Sequence, residues 1–294
     1  MMPDAPVTDA ALRAPLHGIR GLLLDLDGVL VLAERPIDGA GEALSLLDSA
    51  RLPYLIVTNT SLVSRVTLSR IGARMGLHTP PERFQSALSA TAAYCAARFA
   101  GRGLYVLATD DALTEFAGQV LVSADDADAG AEVAAVVLGD AVEQLTREAL
   151  DRAFRLVRGG AELIGMHRNK WWVTPAGITL DAGAYLAGLE YATDTRATVV
   201  GKPSREFFNL AADRLLTETA SRAGGRRPSR GSLAMVGDDV WTDIDGARRA
   251  GLRTIFVHTG KHGDAELAAA ATGARGFRPD AVASSLLAVV RVLA

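Results

Sequence analysis

The stretch Gly21-Leu22-Leu23-Leu24-Asp25-Leu26-Asp27-Gly28 is a continuous apolar run that leads into two acidic residues and a glycine. Such a short apolar run is typical of a strand buried on both faces of a parallel sheet. Alternate residues of an extended chain point to the same side, so we expect Asp25 and Asp27 to face one site and Leu26 to face the core. Gly28 then permits a tight turn or a close approach of the backbone to a ligand.

Three further apolar runs also end in polar residues, and a segment with helical spacing lies after each of the first two strands. The runs are Tyr54-Leu55-Ile56-Val57, followed by Thr58, Asn59 and Thr60; Ala197-Thr198-Val199-Val200, followed by Lys202; and Leu233-Ala234-Met235-Val236, followed by Asp238, Asp239 and Asp243. This alternation predicts an α/β fold with a parallel sheet. Such sheets bind ligands outside the carboxyl ends of their strands, so we expect the polar residues to gather at that edge.

The two carboxylates of the first motif suit two roles in phosphate-ester hydrolysis. This reaction is among the slowest uncatalysed ones, and a covalent aspartyl-phosphate divides it into two steps with smaller barriers. Asp25 fits the nucleophile, and Asp27 fits the group that protonates the leaving oxygen and then activates water. A divalent metal would neutralise the charge between carboxylate and phosphate. The alternatives are a turn or helix N-cap, or a calcium loop, whose third acidic ligand and closing Glu are missing here.

The second motif and the lysine provide groups that can hold phosphate oxygens. Thr58 and Asn59 offer a hydroxyl and an amide without adding negative charge, and Thr60 lies beside them. An ordinary helix N-cap at Thr60 or Ser61 is the structural alternative. Lys202 precedes a predicted helix and could bridge the nucleophilic carboxylate and a phosphate oxygen, or could be a solvated loop lysine.

The third motif, Gly237 to Asp243, is the most specific of the four. Hard oxygen ligands on a turn suit Mg²⁺, which takes only one or two carboxylates, and Asp238 is the predicted metal ligand. Asp243 is expected to support the site by orienting a metal-bound water or Lys202. Asp239 is expected in the same supporting role, although Asp239 or Thr242 could instead cap the following helix.

The middle of the chain is predicted to form a second α/β domain, because its strand-like runs do not end in acidic motifs. We place an inserted domain at residues 83–190, and divide the core between residues 17–82 and 191–294. The core is expected to resume with the strand Val199-Val200.

Substrate choice is expected to come from the insertion, since the core motifs provide only generic phosphate chemistry. His167 and Lys170 lie in a segment that combines cations with aromatic residues, and are the candidates for contact with substrate. The alternative is that Trp171 and Trp172 simply alternate across a strand, one in the core of the insertion and one on its surface.

Four smaller expectations concern local structure. Residues 1–16 are expected to be frayed, Asp38 to cap a helix, and the basic segment Arg222 to Gly231 to be a loop. The last helix is predicted from an apolar spacing that includes Val282, Leu286, Val289 and Leu293.

The four motifs in this order resemble those of the haloacid dehalogenase-like superfamily of aspartate-nucleophile phosphatases, over residues 18–293. The insertion is similar to the subfamily IIA (type C2) cap. The run Leu189 to Pro203 resembles the branch that contains the phospholysine phosphohistidine inorganic pyrophosphate phosphatases and the haloacid dehalogenase-like hydrolase domain-containing proteins.

This resemblance implies a Rossmann-like parallel-sheet core, an inserted α/β cap and a Mg²⁺ cofactor. It implies the nucleophile at Asp25, also a metal ligand, and an acid/base at Asp27, which also binds the metal through its backbone. It further implies that Thr58, Asn59 and Lys202 contact the phosphate. Asp238 would be a metal ligand.

Bulk properties limit the partners. The chain has 294 residues, 49% of them hydrophobic, with a formal net charge of −3 and one cysteine. A net charge of this size does not indicate binding to nucleic acid or to an acidic membrane. A single cysteine favours a reducing, cytoplasmic location. By analogy with related caps, a homodimer is expected.

The predicted function is a Mg²⁺-dependent phosphatase for small phosphorylated substrates. Its alternatives are hydrolysis of a phosphoanhydride or P–N bond, and a slow regulatory or binding protein, although Asp27 would have no purpose in a mere binder. A phosphorylation-receiver domain is a poor match because it is small and lacks an insertion.

Overall fold

The computed structural model describes residues 9–174, 177–222, 228–273 and 276–294. The strands are β1 (Gly21–Asp25), β2 (Val31–Leu32), β3 (Arg35–Pro36), β4 (Tyr54–Thr58), β5 (Phe84–Ser86), β6 (Leu104–Leu107), β7 (Ala135–Leu138), β8 (Glu162–Gly165), β9 (Trp171–Thr174), β10 (Gly177–Leu180), β11 (Thr198–Val199), β12 (Leu233–Gly237), β13 (Arg253–Val257) and β14 (Ala281–Ala283). The helices are α1 (Asp9–Leu16), α2 (Ala40–Ser49), α3 (Arg65–Arg74), α4 (Ala87–Arg98), α5 (Asp110–Leu113), α6 (Ala124–Asp128), α7 (Arg147–Arg158), α8 (Ala182–Thr193), α9 (Arg205–Arg222), α10 (Gly246–Arg249), α11 (Asp264–Thr272) and α12 (Leu286–Leu293). Within these ranges, no helix combines the length and the apolar character needed to cross a membrane.

Two compact units divide the chain. Unit 1 comprises the described residues of Met1–Thr58, Ser69–Phe84 and Arg205–Ala294, and unit 2 comprises Asn59–Leu68 and Gln85–Ser204. Both contain parallel strands and helices, which confirms the predicted α/β fold class. That residues 83–190 act as a cap stays a prediction.

The six-stranded sheet places β1 near its centre, in the order β14-β13-β12-β1-β4-β5. β1 pairs in parallel with β12 on one side and with β4 on the other, as Leu22 does with Ala234 and Tyr54. Leu22, Leu23 and Leu24 are fully buried, and burying each such side chain contributes about 1.5–3 kcal/mol. The apolar run that precedes Asp25 therefore forms a strand covered on both faces, as its composition predicted.

Unit 2 contains a four-stranded parallel sheet in the order β11-β8-β7-β6. Apolar side chains of β6, β7 and β8 pack against α7 and α8 in one core, which includes Val136, Leu163 and Leu186. β11 belongs to this sheet, because Thr198 and Val199 pair with Ile164 and Gly165. The expectation that this strand resumes the sheet of Asp25 is therefore wrong.

Three local expectations are corrected at the ends of elements. Part of the N-terminal segment is helical rather than frayed, since α1 buries Leu12 and Leu16, while residues 1–8 lie outside the described residues. α2 begins after Gly39, in the left-handed region at φ 82°, and not after Asp38. Val282 lies in β14, because it pairs with Phe256, and the last helix begins later, at Leu286.

Two further expectations fall wholly or partly outside the described residues. These are the packing of the Trp172 side chain and the part of the predicted basic loop at residues 223–227. Trp171 is described, and 55% of it is exposed on the antiparallel pair β9–β10.

Candidate active site

Three of the predicted motifs follow neighbouring strands of the six-stranded sheet. Asp25 is the last residue of β1, Thr58 is the last of β4, and Asp238 directly follows β12. Because these strands are adjacent and parallel, their carboxyl ends meet at one edge of the sheet. The sequence motifs therefore converge through strand pairing alone.

The side chains of Asp25, Asp238 and Asp243 form a compact group, here called the acidic cluster. One carboxylate oxygen from each lies within 4.8 Å of the others, and the three residues are 7%, 4% and 0% exposed. Three buried like charges at this spacing repel one another, and a bound cation would offset that repulsion. Asp27 is not part of this group; its side chain is exposed and its backbone forms a bridge to Val31.

Glycines make room for the acidic cluster. A methyl group added at Gly28 or at Gly260 would collide with the Asp238 carboxylate, and one added at Gly237 would collide with Asp243. Gly28 also has a φ of +83°, a conformation that glycine adopts without strain. The backbone at these glycines therefore lies directly against the carboxylates, with no room for a side chain between them.

The loop of residues 259–262, after β13, contacts two of the motifs and was missed as a functional segment. The Lys261 N–H donates to Asp238 Oδ2 at 2.6 Å, and the Thr259 hydroxyl donates to the Gly28 carbonyl at 2.5 Å. The His262 Nδ1 accepts the Val240 N–H at 3.0 Å, which gives this histidine a structural role. The position of this loop in the sequence could have revealed it, because polar residues follow β13 just as they follow β1, β4 and β12.

Asp239 has a capping role. Its Oδ1 accepts the N–H groups of Trp241 and Thr242, both at 2.9 Å, at the start of the π-helical turn Val240–Asp245. Burial alone would raise the pKa of Asp239, but the Thr242 N–H and the Lys261 ammonium, 3.0 Å away, bring the pKa below its ordinary value. Asp239, rather than Thr242, is therefore the cap.

The other predicted phosphate-binding residues belong to unit 2. Asn59 Nδ2 donates to the Lys202 carbonyl at 3.0 Å, and Lys202 is only 4% exposed, which rules out a solvated lysine. Asn59 Oδ1 is buried and has no hydrogen-bond partner within the described ranges. The Thr60 carbonyl accepts the Leu88 N–H at 3.4 Å.

A second group of polar residues lies in unit 2 and is here called the polar cluster: the buried Ser61, His167 and Asp181, and the half-buried Asp140. Ser61 Oγ is 2.9 Å from His167 Nε2 and accepts the Asp140 N–H at 2.9 Å. Asp181 Oδ1 is 3.6 Å from the same ring nitrogen. Burial lowers the pKa of His167 below its ordinary value, although both carboxylates oppose this shift. Lys170, the other substrate candidate, is exposed and is not part of the cluster.

Comparison with known proteins identifies the class. Residues 22–120 match the family model of haloacid dehalogenase-like hydrolases, and residues 199–289 match the HAD-hydrolase-like model. The chain is 33% identical to haloacid dehalogenase-like hydrolase domain-containing protein 2 from Bos taurus, over 85% of this chain and 88% of that protein. It is 32% identical to phospholysine phosphohistidine inorganic pyrophosphate phosphatase from Homo sapiens, over 84% of this chain and 85% of that protein.

Solved structures show the same likeness. A 4-nitrophenylphosphatase from Thermotoga maritima has a TM-score of 0.77 and 26% identity, over 94% of this chain and 98% of that chain. A glycerol phosphate phosphatase from Mycobacterium tuberculosis, in complex with magnesium, has a TM-score of 0.76 and 25% identity, over 94% of this chain and 77% of that chain. The chain belongs to the haloacid dehalogenase-like hydrolases and is a hydrolase, which confirms the resemblance seen in its motifs.

Proposed function

We propose that this protein is a Mg²⁺-dependent phosphatase that hydrolyses small phosphorylated substrates through an aspartyl-phosphate on Asp25. The observation that carries the proposal is the acidic cluster, in which Asp25 and Asp238, at the ends of adjacent strands, meet Asp243 of the following turn. Relatives named as phosphatases, in both sequence and structure, support the reaction class.

The donor set fits Mg²⁺. Its atoms are hard carboxylate oxygens, and the glycine backbone packed against Asp238 limits the space around them. Asp25 and Asp238 would hold the ion, together with the backbone of Asp27, and Asp243 would support them from the same cluster. When bound, the ion would offset the negative charge shared by the carboxylates and the phosphate.

The chain's own residues would divide the reaction into two displacements. Asp25 attacks phosphorus, the bond to the leaving oxygen breaks, and Asp27 gives that oxygen its proton. Water then attacks the aspartyl-phosphate, Asp27 takes the proton from the water, and inorganic phosphate leaves with the Asp25 carboxylate restored. Thr58 and Asn59 hold the phosphate oxygens in this proposal.

Three predicted roles belong to the same proposal. Thr60 assists in phosphate binding, and Lys202 offsets negative charge during transfer. Residues 83–190 act as the cap that selects the substrate. Lys170 is exposed and is retained as the candidate contact with substrate, whereas the buried His167 ring is already bonded to Ser61. The expected homodimer stays a prediction, to be checked by light scattering.

An assay with 4-nitrophenyl phosphate tests the proposal. We expect turnover with Mg²⁺, its loss in EDTA and its recovery on adding Mg²⁺ back. Turnover that is independent of metal would contradict the mechanism. Asp27→Asn should slow the second displacement, so that phosphorylated protein accumulates with this good leaving group.

A substrate panel then separates the main function from its alternatives. We expect phosphate monoesters to give a higher kcat/KM than pyrophosphate or phosphohistidine. A reversed order would favour phosphoanhydride or P–N hydrolysis. Slow turnover of every compound would favour a regulatory or binding protein.

A further inference from the structure

We propose that residues 259–262, here called the β13 loop, are a positioning element for Asp238 that sets the affinity of the acidic cluster for Mg²⁺. This inference rests on the proposed function but goes beyond it, because no residue of this loop is a metal ligand in that proposal. Every contact that carries the inference lies within unit 1.

The β13 loop is bonded to both acidic motifs at once. Its Thr259 hydroxyl donates to the carbonyl of Gly28, directly after Asp27, and its Lys261 N–H donates to Asp238 Oδ2. Further contacts follow along the third motif: the Lys261 Nζ is 3.0 Å from Asp239 Oδ2, and His262 Nδ1 accepts the Val240 N–H. One short loop therefore joins the first motif to the third.

The bond from the Lys261 N–H is the direct contact between the β13 loop and the Asp238 carboxylate. It is short, at 2.6 Å, and its acceptor is a buried carboxylate, so it belongs to the stronger class of hydrogen bonds to charged groups. A hydrogen bond to one oxygen restricts the orientation of a carboxylate, and groups that orient metal ligands in this way typically change metal affinity 10–100-fold when lost. The donor is a backbone group, so the side chain at position 261 is not required for it.

Gly260 packs against the same oxygen of Asp238, Oδ2. A methyl group at this position would collide with the Asp238 carboxylate and would also lie 2.7 Å from the Gly28 Cα. The Gly28 backbone cannot move away easily, so Asp238 must turn. Gly263, three residues further on, provides a matched control: its backbone is extended, and an added methyl group would meet nothing within 4 Å.

Isothermal titration of the purified full chain with MgCl₂ tests the positioning role. We expect Gly260→Ala to raise the Mg²⁺ Kd at least tenfold and Gly263→Ala to leave it within twofold of wild type. The kcat of Gly260→Ala should recover as the Mg²⁺ concentration rises, because no reacting group has been removed. The unfolding temperature in EDTA verifies that each variant is folded.

A second pair of variants isolates the backbone donor. Lys261→Ala keeps the N–H and removes only the largely exposed ammonium, so we expect a Kd within threefold of wild type. Lys261→Pro removes the N–H as well, and we expect at least a tenfold weaker Kd. If Gly260→Ala does not fold, this pair of variants alone tests whether the β13 loop positions Asp238.

The possible results separate the two proposals. Wild-type binding of Mg²⁺ together with folded Gly260→Ala and Lys261→Pro proteins that bind it within twofold would overturn the positioning role alone. A wild-type protein that does not bind Mg²⁺ would overturn the proposed function, and the positioning role with it.

Discussion

The acidic cluster and the polar cluster are both groups of largely buried polar side chains, but they differ in the chemical groups that they bring together. The acidic cluster gathers three carboxylates, whose mutual repulsion a cation would offset. The polar cluster combines a hydroxyl, an imidazole and two carboxylates: the hydroxyl and the imidazole are hydrogen-bonded to each other, and each carboxylate accepts a nearby backbone N–H. The acidic cluster therefore has the oxygen donors that a cation requires, whereas the polar cluster contains a hydrogen bond between its own hydroxyl and imidazole.

The hydrogen bonds of the polar cluster indicate which ring nitrogen of His167 carries the proton. The Asn169 N–H donates to His167 Nδ1 at 3.3 Å, so the proton of the neutral ring lies on Nε2 and is donated to Ser61 Oγ. Ser61 also accepts the Asp140 N–H. The neutral imidazole is therefore the form that this cluster accommodates.

The largest expected difference between the clusters is catalytic. Asp25→Asn and Asp181→Asn make the same change at residues that are 7% and 5% exposed. We expect Asp25→Asn to lower kcat by on the order of 10³-fold or more, because the amide is no longer a nucleophile. Asp181→Asn should keep kcat within tenfold of wild type. Steady-state assays with 4-nitrophenyl phosphate measure both, and near wild-type turnover by Asp25→Asn would remove that residue from its role.

The second largest expected difference is in the stability that the folded protein gains when it binds Mg²⁺. At a Mg²⁺ concentration 100 times its Kd, binding stabilises the folded state by about 2.7 kcal/mol, which raises Tm by about 5 °C. We expect differential scanning calorimetry to show this rise in wild type and in Asp181→Asn, and to show little or none in Asp238→Asn. An equal rise in all three proteins would mean that the ion binds elsewhere.

A smaller effect is expected from pH. Burial lowers the pKa of His167, so the unfolded chain binds the proton more readily than the folded one. Stability from this residue is complete above about pH 6.5, the ordinary histidine pKa, and is lost as pH falls below it. The loss from one such group cannot exceed about 1.4 kcal/mol per pH unit.

His167→Gln tests this pH dependence because glutamine keeps a donor but does not titrate. Between pH 7 and pH 5, its Tm should fall less steeply than that of wild type. His258→Gln is the control, since it makes the same substitution at a histidine outside the polar cluster. Identical slopes for wild type and His167→Gln would show that protonation of the cluster has no effect on stability.

The smallest effect provides a check on unit 2. Cys95 of α4 is fully buried, and burial raises the pKa of its thiol to about 12. We expect less than a tenth of it to react with Ellman's reagent in an hour at pH 8, and complete reaction in denaturant. The same protection in Asp238→Asn would show that loss of the acidic cluster leaves unit 2 folded; rapid labelling would show that it does not.

The sequence predicted the features that depend on the type of each side chain and on its position along a short stretch of chain. The apolar runs before Asp25, Thr58 and Asp238 specified adjacent buried strands, and the parallel sheet then brought two carboxylates together. β11 was assigned to the wrong sheet, because two apolar residues before Lys202 carry no information about their pairing partner. The Lys261 contact was missed because a backbone N–H is present at every position except proline and leaves no mark in the sequence.

The pairing of β1 also determines when this protein can complete its fold. Tyr54, one partner of Leu22, lies 32 residues further along the chain, whereas its other partner, Ala234, lies more than 200 residues further along. A growing polypeptide on the ribosome therefore carries a sheet whose central strand has one open hydrogen-bonding edge, which exposes it to aggregation. Pairing between segments so distant in sequence slows folding, so we expect completion of this sheet to be a slow step.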